Sequence, residues 1–268
     1  MSTATRRTME LLRVQLKASA MLALTYRLDF VLDLVIGLFW TVSAVLPLFV
    51  VYGGPSSRGV PGWSFGETLL VVGCFITLQA VIDGAISPSL STVLDHVRKG
   101  TLDFVLLKPH DAQILVSTAR FQLWRVAGLL HASIVFGLGF RELGHGPSAL
   151  GVLQALALLL IATAMLYSFW LLIVSVSFYA VKVDNLSNLF TSIFDAARWP
   201  ASVFRGVFRI VFTFVIPLVV MTTLPAEALL GRLPWTSLLA SVGGAIAVAV
   251  VARVVWLLSL RRYTSAGG

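Results

Sequence analysis

The sequence predicts an all-α polytopic membrane protein with six transmembrane helices, an N-terminal interfacial helix and re-entrant half-helices between spans five and six. Three observations predict it. The 268 residues are 58% hydrophobic and only 12% charged, about half the charged share of a soluble domain. Mean hydropathy is +0.93. Apolar runs of about 20 residues recur along the chain, the length that an α-helix needs to cross a bilayer.

Residues 1–29 come first. Arg6, Arg7, Arg13, Lys17 and Arg27 alternate with Leu11, Leu12, Leu16, Met21 and Leu22, too much charge for a span and the right mixture for a helix lying in the interface. An ordinary solvated helix is the other reading. A cleavable signal peptide is not expected, because the apolar run starts only near Phe30.

The first span is predicted from Phe30 to Val51. Tyr52-Gly53-Gly54-Pro55 breaks it, and the loop to Gly66 carries only Arg58. The basic excess ahead of the span puts the N-terminus in the cytoplasm. The second span, Leu69 to Ile86, returns the chain inside. The third is read as Ala112 to Phe140, with Arg120 and Arg125 in its first half. The fourth is Leu150 to Val176.

Asn185 to Trp199 reads as a short fifth span ending at Pro200, followed by half-helices over 201–235 that enter the outer leaflet and return. A second reading makes Ala201 to Leu224 the fifth span, leaving Arg198, Arg205 and Arg209 on the positive inner side. The last span runs from Ser237 to Leu258, where Ser241, Ala245 and Ala249 allow close helix approach. Arg261 and Arg262 close it inside, so both termini are expected in the cytoplasm.

Composition also excludes functions. The net charge of +8 suits anionic lipid head groups at the membrane surface rather than nucleic acid. The single Cys74 permits no intramolecular disulfide. None of the four lysines follows a glycine, so no phosphate-cradling loop is present and ATP is not bound in that way. His96, His110, His131 and His145 lack metal-ligand spacing, and no Gly-x-Ser-x-Gly elbow occurs. No catalytic residue, metal or cofactor is expected in this chain.

Two groups of residues are candidates for function. Asp33, Asp83, Asp195 and Arg253 lie within apolar runs, where charge is costly and often functional. An ion pair between Arg253 and Asp33 or Asp83 is one reading, and carboxylates reaching the inner head groups the other. The second group is Ser87 to Asp111, the longest polar interruption in the chain. An amphipathic segment, Leu90 to Val97, ends at Arg98-Lys99-Gly100. Gly100 fits a left-handed helix cap, and Pro109 blocks a helix running straight back. A short helix rimmed with charge suits a groove on a soluble partner. A charged loop with no partner is the plainer alternative.

Arg98-Lys99-Gly100-Thr101-Leu102-Asp103, then Leu106-Leu107-Lys108-Pro109, resembles the cytoplasmic loop of type-2 ABC transporter permeases, the bacterial export class. The ending Arg262-Tyr263-Thr264-Ser265-Ala266-Gly267 and the spacing of Pro200, Pro217, Pro225 and Ala226 resemble one branch of that family. The resemblance implies the membrane subunit of an exporter in the bacterial inner membrane. It implies a second permease subunit, identical or related, and a separate ABC ATP-binding subunit that holds ATP and Mg. It also implies a coupling helix in 87–111. Leu94, Val97 and Leu102 would be apolar anchors on the ATPase, with Asp95, Arg98, Lys99, Asp103 and Lys108 matching charge around the Gly100 cap. The rival class is a stand-alone secondary carrier or channel, against which the chain shows no internal repeat and no acid relay at mid-membrane. A cargo of lipid, glycolipid or amphipathic drug suits the 17 Phe and 7 Trp.

Overall fold

Apolar runs become long helices because a bilayer offers backbone groups no hydrogen-bond partner. The computed structural model describes residues 10, 13–21, 27–53, 59–179 and 184–263. Among these, the regular elements are all helical, and one isolated bridge joins Val60 to Trp63. Among the described residues, five helices are long and apolar enough to cross a membrane.

Residues 13–21 are helical. The rest of the expected interfacial helix, with Arg6 and Arg7, lies outside the described residues, as do residues 264–268 of the ending. Helix α1 (Arg27–Gly53) is the least buried of the five, with Ala44 and Leu48 facing inward and Val35, Phe39, Trp40 and Val50 exposed. Helix α2 (Phe65–Val81) is the most enclosed. Its start is set by a capping box, in which Ser64 Oγ accepts from Glu67 N–H and Glu67 accepts from Ser64 N–H. The Glu67 carboxylate also meets the Arg232 guanidinium at 2.5 Å, so one acid both caps α2 and ties down the chain before the last helix.

A π-helical turn, Ile82–Ile86, joins α2 to α3 (Ser87–Lys99). After α4 (Asp103–Leu106) and α5 (Ala112–Ser117) the chain unwinds over 118–122. A 3₁₀ turn (Leu123–Val126) then enters α6 (Ala127–Leu143). The third span therefore runs from Leu123 to Leu143, eleven residues later than the sequence suggested at its start. Tertiary hydrogen bonds hold the break open. Gln122 N–H donates to Gly84 O at 2.8 Å, Ser89 Oγ donates to Arg120 O at 2.5 Å, and Phe121 N–H donates to Ser19 Oγ at 3.2 Å.

Helices α2 and α6 pack tightly. A Cβ on Gly73 would sit 2.7 Å from the Phe136 ring, and one on Gly128 would sit 2.7 Å from Ala80 Cβ. Small residues at a membrane helix contact allow this approach. Helix α7 (Ala149–Val176), capped by Ser148, packs on the last helix, α10 (Trp235–Leu260).

Between α7 and α10 no helix is long enough to cross a bilayer among the described residues. Helix α8 (Asp184–Phe194) has 11 residues and ends in a 3₁₀ turn, Asp195–Arg198. A continuous span from Ala201 to Leu224 is not formed. Gly206 takes φ +59°, and Ile216-Pro217 separates two π turns, Val211–Val215 and Val219–Thr223. The second π turn leads into α9 (Leu224–Leu229), whose Ala226 and Ala228 are fully buried, Ala226 against Leu70, Val71 and Cys74 of α2 and Ala228 beside Ala155 and Leu158 of α7. Thr222 Oγ1 donates to Ala197 O, and Ala201 N–H donates to Thr223 Oγ1, stitching this stretch to the end of α8.

Candidate functional site

The charged elbow and the intramembrane charges form two connected sites. The elbow comprises α3, α4 and α5. Gly100 caps α3 with φ +62°, and Thr101 N–H donates to His96 O at 2.9 Å, a left-handed termination that reverses the chain. His96 Nδ1 and Thr101 Oγ1 lie 2.8 Å apart and brace the reversal.

Exposure sorts the elbow's residues. Leu90, Val93, Leu94 and Leu102 are buried in the chain's own core, and Val97 is half-buried against it. Leu94 and Leu102, expected to be apolar anchors on a partner, pack on the chain's own core, because the apolar face of α3 is turned onto the bundle. Asp95, Arg98, Lys99 and Lys108 are exposed and Asp103 is half-exposed. The apolar residues left outside are Phe104, Leu106 and Leu107, with Phe104 at 70% and Leu107 at 80% exposure. They project from α4 and the turn that follows, beside Lys108 and Pro109.

A polar clamp ties the elbow to the last span. Asp111 caps α5 by accepting from the N–H groups of Gln113 and Ile114. The same carboxylate receives both arms of Arg253, at 3.1 Å to Oδ1 and 2.5 Å to Oδ2. Arg253 also donates to Gln113 Oε1 at 2.6 Å, Gln113 Nε2 donates to Tyr167 Oη at 2.8 Å, and Ser117 Oγ lies 2.7 Å from Tyr167 Oη. Helices α5, α7 and α10 thus share one network. The hydrogen bonds from Arg253 hold the Asp111 carboxyl below the usual carboxylate range, opposed by partial burial. The acid that serves Arg253 is Asp111, rather than Asp33 or Asp83 as the sequence suggested.

Asp33, Asp83 and Asp195 meet at a second place, a cavity of about 320 Å³ among α1, α2, the start of the third span and the end of α8. The π turn carries Asp83 into it. Gln79 Nε2 donates to Asp83 Oδ2 at 3.0 Å. Arg125 Nε lies 3.5 Å from Asp33 Oδ2. Arg198 meets Asp195 at 3.1 Å and stacks over Phe75 at 5.3 Å. Sequence reasoning missed Arg125 and Arg198 as members of this group. Arg125 was read within the first half of the third span and Arg198 at the end of the short fifth one. His131 is buried with its ring against Gly37, 2.7 Å from where a Cβ would stand. Among the described residues no cluster of His, Cys, Asp and Glu could hold a metal ion.

Five apolar helices among the described residues suit a multi-pass membrane protein. A search of the curated proteins found no match to the sequence. The family model of the ABC-2 family transporter protein matches residues 38–267, from the middle of α1 through the elbow, the short helices and the last span. That coverage takes in the elbow, the clamp and the cavity residues from Trp40 onward, and the chain belongs to the ABC-2 family, as a type-2 ABC transporter permease.

Proposed function

We propose that this chain is the membrane half of an ATP-driven exporter and that its elbow is the surface on which the ATP-binding subunit docks. Family membership implies an ATP-binding partner, and often a second permease. The observation that carries the docking claim is the exposed apolar pair Phe104 and Leu107, bordered by Arg98, Lys99 and Lys108. A soluble partner gives these side chains an apolar groove and opposite charge.

In this reading 87–111 is cytoplasmic and both termini face the same side. Helix α8 is the lower part of a short fifth span, and 201–235 is a re-entrant region, giving six spans. The burial of Ala226 and Ala228 supports this, since irregular backbone at membrane depth must be packed on protein. Closure of the ATPase pair pushes the elbow, and the Arg253–Asp111 clamp passes that movement to α10 and α7. A pair of permeases encloses the path for an amphipathic cargo in the bacterial inner membrane.

The test is co-purification with an ATP-binding subunit encoded beside the chain. Arg98→Glu combined with Asp103→Lys is expected to abolish recovery of the ATPase while the permease still elutes as a folded species. Undiminished recovery overturns the docking claim.

A further inference from the structure

The cavity among α1, α2, the third span and the end of α8 has features that ion pairing alone does not explain. Its carboxylates outnumber its guanidinium groups. Arg125 faces Asp33 and Arg198 faces Asp195, which leaves Asp83 with the Gln79 amide as its direct partner. With His131 counted neutral, the site carries one net negative charge. Its acceptors are also incompletely used. Gln79 Oε1 is buried and accepts no hydrogen bond within the described residues, whereas Asp33 Oδ2 faces Arg125 Nε at 3.5 Å. A buried acceptor without a donor is costly, and such atoms mark places where a ligand or water completes the set.

The walls and the mouth point the same way. Trp40 and Trp124 supply indole surfaces, while the Phe75 ring is already taken by Arg198 and Phe194. Aromatic faces attract cations. Trp40 lines the cavity and is also 65% exposed, on a helix that is barely packed, so the opening lies along α1 and its apolar outer face. The π turn at Ile82–Ile86 displaces Asp83 from a regular helix, and π turns recur at functional sites. A volume of about 320 Å³ suits a small organic head group.

From these features we infer that this cavity binds the protonated amine head of an amphipathic molecule, with Asp83 as the counter-ion, the Gln79 side-chain oxygen as acceptor for an N–H group, and the apolar part lying toward Trp40 and the outer face of α1. This deepens the exporter reading by naming a cargo class, and as a cargo claim it rests on that reading. The site excludes an amphipath with an anionic head, because Asp83 and the Gln79 side-chain oxygen repel it.

The probe is propranolol, a naphthyl compound whose amine is protonated at neutral pH. Its counterpart is naproxen, a naphthyl compound with a carboxylate. Binding of radiolabelled propranolol is measured without nucleotide on the detergent-purified permease–ATPase complex. Saturable binding that naproxen does not displace is expected, with affinity at least tenfold weaker in Asp83→Asn. Gln79→Leu, which leaves every charge in place, is expected to weaken binding at least threefold and covers the case in which Asp83→Asn fails to fold. An assembled complex that shows no saturable binding, displacement by naproxen as strong as by propranolol itself, or unchanged affinity in folded Asp83→Asn overturns the assignment. Assembly with the ATPase is scored separately by gel filtration, so failure of the cavity proposal leaves the permease reading standing, and failure to assemble counts against the latter alone.

Discussion

Arg253 holds Asp111 with both guanidinium arms, so a side chain two turns from the end of the last span is fastened to the residue that caps α5. The pair is more than a third exposed on each side, so screening limits its energy to about 1 kcal/mol. Its larger consequence is geometric. Asp111→Asn is expected to cost about 1 kcal/mol of stability. If the clamp transmits movement, substrate-stimulated ATP hydrolysis by the complex falls several-fold while ATPase recovery is unchanged. Retention of full stimulation contradicts the transmission role.

The same pair makes a statement about pH. The Asp111 carboxyl is held below its ordinary value, chiefly by the hydrogen bonds from Arg253. A depressed carboxylate contributes stability that is fully present above its unfolded value, about 3.9, and is lost as pH falls through the folded value. The stability difference between wild type and Asp111→Asn should therefore be flat from pH 5 to pH 8 and shrink only below about pH 4. Thermal unfolding across that range checks it.

Gly151 gives a steric test. A Cβ there would lie 2.5 Å from Ala228 O, a backbone atom that cannot turn aside. Gly137 has nothing within 4 Å of its Cβ position. Gly151→Ala is expected to destabilise the protein by about 1–3 kcal/mol through forced separation of α7 and α9, whereas Gly137→Ala is neutral or slightly stabilising. Melting followed by fluorescence-detected gel filtration separates the two. Equal melting temperatures would contradict the close approach.

Glu67 carries two tasks through one side chain, the α2 capping box and the contact with Arg232. Glu67→Gln keeps the capping geometry and loses the charge. Glu67→Ala loses both. The expected order of stability is wild type, then Gln, then Ala, with about 1–2 kcal/mol between the first and last. Arg232→Ala should fall below the Gln level, since it leaves the buried Glu67 carboxylate without its counter-charge.

The all-helical class and the long spans were legible in the sequence because hydropathy and length follow from the bilayer itself. The left-handed stop at Gly100 was legible because that conformation favours glycine. The break over 118–122 was not, since Thr118-Ala119-Arg120-Phe121-Gln122 holds no Gly or Pro and is kept open only by distant partners at Gly84, Ser89 and Ser19. The inward packing of Leu94 and Leu102 was not legible for a related reason. An amphipathic helix announces an apolar face, but nothing in its period says whether that face meets its own bundle or another protein. The cavity was half legible. Cost of burial singled out Asp33, Asp83 and Asp195 as charges within apolar runs, but their convergence depends on a π turn whose extra residue leaves no mark on hydropathy.

The central claim is that α4 and its following turn are the grip of a soluble ATPase. The most direct measurement is the ratio of ATP-binding subunit to permease recovered on an affinity tag attached to the permease, for wild type and for Phe104→Glu combined with Leu107→Glu. Both side chains are exposed, so the variant should fold and elute as wild type does. The account predicts an equimolar complex for wild type and loss of the ATPase from the variant. A variant that retains the ATPase in full would contradict it.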